Sequence, residues 1–203
     1  MSGRRIWLVR HGETEGGSSI RYFGRSDVPL SDAGRRQIRA LAPLFGGPRP
    51  SSIWHSPLVR ARESAEILAS SCGFDAALLR ADDRLAEIDF GRCEGMTADE
   101  IGAAFPEFWA RHRRGLADAF PGGESFADLG RRVAAAVDEI LEDSAPGPVL
   151  IVAHRGTLRC ALRHLLSVPA GEPDELSVDL GSLTEVAEDG SIARFNQTGG
   201  DVG

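Results

Sequence analysis

At 203 residues, with 42% hydrophobic and 26% charged content, the chain has the size and composition of one globular domain, and it can bury roughly 70% of the surface that its unfolded form exposes. Its formal net charge of -7 disfavours non-specific attraction to nucleic acid or anionic membranes. All 23 basic residues are arginine, which excludes a Walker-type phosphate loop, since that loop needs a lysine at the phosphates.

Cys72, Cys93 and Cys160 form no CxxC pair and no metal-ligand spacing, and their odd number argues against a disulfide framework. A reducing, cytoplasmic setting is expected. The first apolar run, Ile6 to Val9, is closed at once by Arg10 and His11, so it is neither a signal-peptide core nor a membrane span; no later run approaches the ~18 residues that a span requires.

In chain order, Ile6 to Val9 reads as the first strand. A helix follows from about Asp32 to Phe45, ended by Gly46-Gly47-Pro48. Ser52 to His55 is a second strand, and Pro57 to Ser71 is a helix with Leu58, Ala61, Ala65 and Leu68 at helical spacing. Residues 76 to 80 read as a third strand. Residues 97 to 123 read as irregular, a cap more than a core element, with Pro106, Trp109 and the basic run Arg111 to Arg114. Helices are expected over Phe126 to Leu141 and Thr157 to Leu166, separated by the uninterrupted apolar run Val149 to Ala153, a buried central strand. Leu176 to Phe195 reads as edge strands with turns at Gly181 and Asp189-Gly190, an edge open to a second copy in a homodimer. Strands alternating with helices give an α/β domain with a largely parallel sheet.

Chemistry-bearing residues gather at the ends of these strands. Arg10-His11-Gly12-Glu13-Thr14 follows the first strand directly, where open α/β sheets place ligand sites. Taken alone, such a turn is more often plain surface than a site. Four further segments stand in comparable places: Ser56-Pro57-Leu58-Val59-Arg60-Ala61, Leu85-Ala86-Glu87-Ile88-Asp89-Phe90-Gly91, Gly122-Gly123-Glu124-Ser125 and Val152-Ala153-His154-Arg155-Gly156. Together the five resemble the histidine phosphatase superfamily, also called the phosphoglycerate mutase-like family, from residue 5 to about residue 196. The resemblance implies a three-layer α/β/α sandwich with a mostly parallel central sheet, a short cap insertion over about residues 95–123, and a site at the carboxyl edge of the sheet beneath it.

It also implies roles. His11 would attack phosphorus through one neutral ring nitrogen while the other donates to a backbone carbonyl. His154 would sit beside it and donate to the transferring oxygens. Arg10 and Arg60 would clamp the phosphate, because a guanidinium grips two phosphate oxygens and never loses its charge. Glu87 is the expected proton donor, with Asp89 the alternative. Phe23 and Gly24 are expected on the substrate side. Glu124 and Ser125 read as a helix cap at least as readily as a catalytic pair, and His112 with its neighbouring arginines reads as a solvated basic face rather than a second anion site.

The chain departs from the family pattern where many members have asparagine, here Gly17, and where the residue after the second histidine is often glycine, here Arg155. Arg155 is expected to reach an additional anionic group of the substrate. No Cys is followed six residues later by Arg, no Asp-x-Asp occurs, and no cluster of histidines and acids suggests a metal. Neither metal nor cofactor is therefore expected. The short stretch from Gly95 to Gly122 resembles that of the α-ribazole and broad-specificity phosphatases more than that of the longer mutases. The expected function is hydrolysis of a small phosphorylated metabolite, with a cofactor-dependent phosphoglycerate mutase and an inactive, phosphometabolite-binding relative as the alternatives.

Overall fold

The structure, a computed structural model, describes residues 4–168 and 176–201. Among the described residues, six strands form one sheet: β1 (Arg5–Arg10), β2 (Ser52–His55), β3 (Leu79–Ala81), β4 (Val149–Ala153), β5 (Ser182–Ala187) and β6 (Ile192–Thr198), in the order β3-β2-β4-β1-β5-β6. Three neighbouring pairs, β2 with β3, β2 with β4 and β4 with β1, are parallel, while β5 runs antiparallel to both β1 and β6. The mostly parallel sheet of the expected α/β class is thus present.

Among the described residues, six α-helices accompany it: α1 (Asp32–Ala40), α2 (Val59–Cys72), α3 (Ala98–Ala104), α4 (Pro106–His112), α5 (Phe126–Asp143) and α6 (Arg155–Leu165). Side-chain alternation in the central strands divides the core into two layers. Ile6 and Leu8 of β1, with Val149, Ile151 and Ala153 of β4, face Val133, Val137 and Ile140 of α5 and Leu158 and Leu162 of α6. Trp7, Val9, Leu150 and Val152 face Ile38 of α1 and Ala65 and Leu68 of α2. Helices on both faces leave every residue of β4 buried, which is why its sequence is apolar without alternation.

Several sequence expectations need correction. The helix expected to reach Phe45 ends at Ala40 and passes into a 3-10 turn over Ala42–Phe45, because Pro43 has no N–H to continue the α-helical ladder. The third strand is shorter than expected: residues 76–78 form a 3-10 turn capped by the Asp75 side chain, and β3 begins at Leu79. Residues 97–123 are not irregular throughout. Thr97 and Glu100 form a reciprocal capping box that starts α3, and Pro106 stands in the first turn of α4, where its missing N–H costs nothing. This segment is also more than a cap, since Ile101 and Phe120 are buried in the core layer shared with α5 and α6. Finally, residues 176–181 form no strand, and β5 is internal, lying between β1 and β6. β6 is the edge, with Ile192 and Phe195 about 40% exposed.

One close approach positions the segment after β1. Gly34, in the first turn of α1, packs so tightly on the chain after His11 that a Cβ there would collide with the Glu13 carbonyl oxygen. Ser31 caps the same helix by accepting from Gly34 N at 3.1 Å. Gly34→Ala is expected to lower stability by about 2–3 kcal/mol through overpacking. That corresponds to a fall of roughly 5–10 °C in Tm for a domain of this size; an unchanged melting curve would contradict the contact.

Candidate active site

The parallel register brings three strand ends together. His11 N donates to the Ala153 carbonyl at 3.1 Å and Ser56 N to the Val152 carbonyl at 3.1 Å, so the residues that follow β1, β2 and β4 meet at the carboxyl edge of the sheet. There a cleft of about 560 Å³ is lined by Arg10, His11, Phe23, Glu87 and Arg155, with the start of α3 at Thr97 and Ala98 on its wall.

The His11 ring is buried, with Nδ1 at 2.7 Å from the Gly12 carbonyl. A carbonyl can only accept, so Nδ1 carries the hydrogen and the lone pair is on Nε2. Burial, reinforced by the charges of Arg60 and Arg10, holds the His11 pKa well below its ordinary value of 6.5. The ring is therefore neutral at neutral pH.

His154, fully buried, lies with its ring centroid 5.1 Å from that of His11. Arg60 Nε donates to His154 Nδ1 at 3.2 Å, which leaves the ring hydrogen on Nε2, 2.7 Å from Ser56 Oγ. Burial, then Arg60 and His11, push its pKa down as well. In this arrangement Nδ1 accepts. Donation from Nδ1 to a phosphoryl oxygen needs the other tautomer, and the Ser56 hydroxyl, which can donate or accept, accommodates either one.

The two arginines differ in what they have free. Arg60 is fully buried and gives Nη1 to the Ser26 carbonyl at 2.8 Å and Nη2 to those of Phe23 and Gly24 at 3.0 and 2.8 Å. Together with the Nε bond to His154, this leaves only one Nη1 hydrogen uncommitted. Arg10 donates through Nη1 to the Val178 carbonyl at 2.7 Å, while its buried Nε has no hydrogen-bond partner among the described residues. Burial, opposed by the charge of Glu87, pushes the Arg10 pKa down to about 10, so the guanidinium remains charged at neutral pH.

Glu87 is buried against the start of α6. Its Oε2 accepts from Gly156 N at 3.0 Å, and its Oε1 accepts from Ile88 N at 3.0 Å and Thr157 N at 3.2 Å. A Cβ at position 156 would strike Oε1, so glycine there is what lets the carboxylate reach the helix terminus. Asp89, the alternative acid, bonds Gly91 N at 2.7 Å and does not line the cleft. Arg155 is exposed at the first position of α6, lines the cleft, and makes no hydrogen bond or ion pair among the described residues.

The remaining candidates separate. Phe23 lines the cleft, whereas Gly24 is buried and contributes one of the three carbonyls that Arg60 binds. Ser18 stands on the cleft beside Gly17, but its hydroxyl is committed to Glu13 at 2.8 Å. Burial raises the Glu13 pKa, and bonds from Thr14, Ser18 and Ser19 outweigh it, for a net lowering. His112 stacks on Trp109 and Phe108 with centroids 5.3 and 5.5 Å away, and burial lowers its pKa, so its ring belongs to the aromatic packing of α4. Ser125 caps α5 by accepting from Asp128 N, and Glu124 pairs with Arg132, both of them structural contacts. Sequence reasoning missed Arg132, which reads as an ordinary helical surface position. It also missed Glu94, whose carboxylate receives the N–H groups of Gly24, Arg25, Ser26 and Phe90. Neither position carries a signal in its neighbours.

Comparison with known proteins agrees with this geometry. A bifunctional protein of Mycobacterium tuberculosis is 38% identical over 205 residues, covering 96% of this chain and 54% of that protein, so the chain spans about half the length of the curated relatives it first matches. A Yersinia pestis protein assigned as a phosphoglycerate mutase is 34% identical over 183 residues, 90% of this chain and 84% of its own. The crystal structure of an Escherichia coli protein assigned as an α-ribazole-5′-phosphate phosphatase superposes with a TM-score of 0.84 at 25% identity, over 96% of this chain and 97% of that one. The sequence model of the histidine phosphatase superfamily (branch 1) matches residues 6–198, nearly the whole span that carries the fold and the cleft, and this chain belongs to that superfamily.

Proposed function

We propose that the chain is a metal-independent phosphatase that hydrolyses small phosphate monoesters through a phosphohistidine on His11. The observation that carries the reading is the pairing, in one cleft, of a neutral histidine whose Nδ1 is bound to a carbonyl with a buried arginine Nε that has no acceptor among the described residues. A buried donor left without a partner costs about 1–3 kcal/mol, and a phosphoryl oxygen would satisfy it. His11 Nε2 attacks phosphorus in line, the bond from phosphorus to the ester oxygen breaks, and Glu87 gives the leaving alkoxide a proton. Water then attacks the phosphohistidine, Glu87 takes the proton back, and inorganic phosphate leaves. Arg10, the remaining hydrogen of Arg60 and, in its Nδ1–H tautomer, the ring of His154 stabilise the charge spread over the equatorial oxygens. The positive charge this chemistry needs comes from arginine, so no divalent ion is invoked. The three unpaired cysteines fit the reducing, cytoplasmic setting that forms part of the proposal, and among the described residues no helix is long and apolar enough to cross a membrane.

Hydrolysis of p-nitrophenyl phosphate should persist in a chelator and fall by about 10³-fold or more in His11→Ala, since the nucleophile is lost. The relative assigned as a mutase makes isomerisation the second reading. Interconversion of 3- and 2-phosphoglycerate without phosphate release would select it, and silence of the wild type in both assays would select a binding protein.

Arg155 extends this reading to substrate choice, for it lines the cleft and makes no hydrogen bond or ion pair among the described residues. Glycerol 3-phosphate and 3-phosphoglycerate differ by one carboxylate. The kcat/KM preference for 3-phosphoglycerate over glycerol 3-phosphate should fall about tenfold in Arg155→Ala, the worth of one charge-assisted bond; an unchanged preference would remove Arg155 from substrate recognition.

The buried histidines also fix a pH dependence. Unfolded imidazoles protonate near 6.5, whereas folded His11 and His154 do so only well below that, so on acidification the unfolded state binds protons first. Their contribution is therefore intact above pH 6.5 and is lost as pH falls beneath it, by up to about 1.4 kcal/mol per pH unit for each histidine. Denaturant melts between pH 7.5 and 5.5 should show this slope, and His11→Asn should reduce it.

A further inference from the structure

Glu87 stands on irregular chain between the 3-10 turns at Asp83–Leu85 and Gly91–Cys93, so its place is set by its neighbours. The N–H groups at the start of α6 hold its carboxylate, and Thr157 Oγ1 donates to the Ala86 carbonyl at 2.9 Å. Arg132, two turns into α5, holds the backbone from the other side. Its Nη1 donates to the carbonyls of Arg84 and Ala86 at 2.6 and 2.7 Å, and its Nη2 to that of Glu87 at 3.2 Å. Nε and Nη2 also clamp the Glu124 carboxylate at 2.7 and 2.8 Å. Every donor of the guanidinium is used, and the side chain is only 17% exposed.

Arg132 does not line the cleft, and its charge is already matched by Glu124, so it is no phosphate ligand. What it can do is fix the main chain that carries the acid. We propose that Arg132, seated on Glu124, is the positioning residue that keeps Glu87 aligned with the leaving-group oxygen; this rests on the reading of Glu87 as proton donor. A general acid works only within hydrogen-bond reach of its oxygen, and a displacement of about 1 Å can cost 10²-fold. Lysine is no substitute, because a compact ammonium with three donors does not span a carboxylate and three carbonyls.

The test compares a leaving group that needs a proton with one that does not. Glycerol 3-phosphate expels an alkoxide, whereas p-nitrophenyl phosphate expels a stable phenolate. Arg132→Ala and Arg132→Lys are each expected to lose at least about tenfold more kcat/KM on glycerol 3-phosphate than on p-nitrophenyl phosphate, and Glu87→Gln to show the same bias more strongly. Because Arg132→Ala strands Glu124 and can impair folding, the double variant Glu124→Gln/Arg132→Met is measured beside it, with a thermal melt for each. Equal loss on both substrates in the folded Arg132 variants, with the bias present in Glu87→Gln, would overturn the positioning role and leave Arg132 a structural residue. Equal loss in Glu87→Gln itself would overturn the donor reading, and the positioning role with it.

Discussion

The site depends on a buried guanidinium that, among the described residues, no carboxylate hydrogen-bonds. Arg60 has no exposed surface, and its charge is met by three carbonyls of the segment from Phe23 to Ser26 and by the ring of His154. Taking a cation out of water is costly unless its donors find acceptors, and removing the partners of a buried charge typically costs about 3–5 kcal/mol. The carbonyls must therefore point inward. They do so because Glu94 gathers the N–H groups of Gly24, Arg25 and Ser26 on the opposite side of the same segment. One loop thus lies between a cation that takes its carbonyls and an anion that takes its amides, and Phe23 is carried to the cleft as a result.

Burial, reinforced by the same cation, sets the state of the histidines. Burial disfavours a charged imidazole, and Arg60 and Arg10 disfavour it further, so His11 and His154 are both neutral. A neutral ring can be a nucleophile, whereas a protonated ring cannot. The tautomers are then chosen by single neighbours, the Gly12 carbonyl for His11 and Arg60 Nε for His154. The positive charge gathered at the cleft adds to burial in keeping both histidines deprotonated.

Much of this was legible in the chain. The apolar run Val149 to Ala153 marked a buried central strand, because a strand covered on both faces must be apolar along its whole length, and Ile6 to Val9 marked the first strand. The residues after those runs, Arg10-His11 and His154-Arg155, were legible as a site because parallel strands deliver their carboxyl ends to one edge. The helix of α3 was less legible: the Thr97 and Glu100 capping signal is four residues long and lies in a segment rich in breakers. The internal place of β5 was hidden too, since alternation reports which face is buried and not which strand lies alongside.

What the sequence determined by itself was the chemistry available at the strand ends and the class of fold, since both follow from residue type and periodicity along the chain. What tertiary structure alone decided was how each side chain is used: Arg60 held mainly by loop carbonyls, Arg10 with a buried Nε left over, and Glu87 suspended between α6 and Arg132. Those assignments join residues 34 to 94 positions apart in the chain, as with Arg60 and Ser26 or Arg60 and His154. A sequence pattern records spacing within one element, whereas hydrogen-bond partners at such separations are set by how the elements pack.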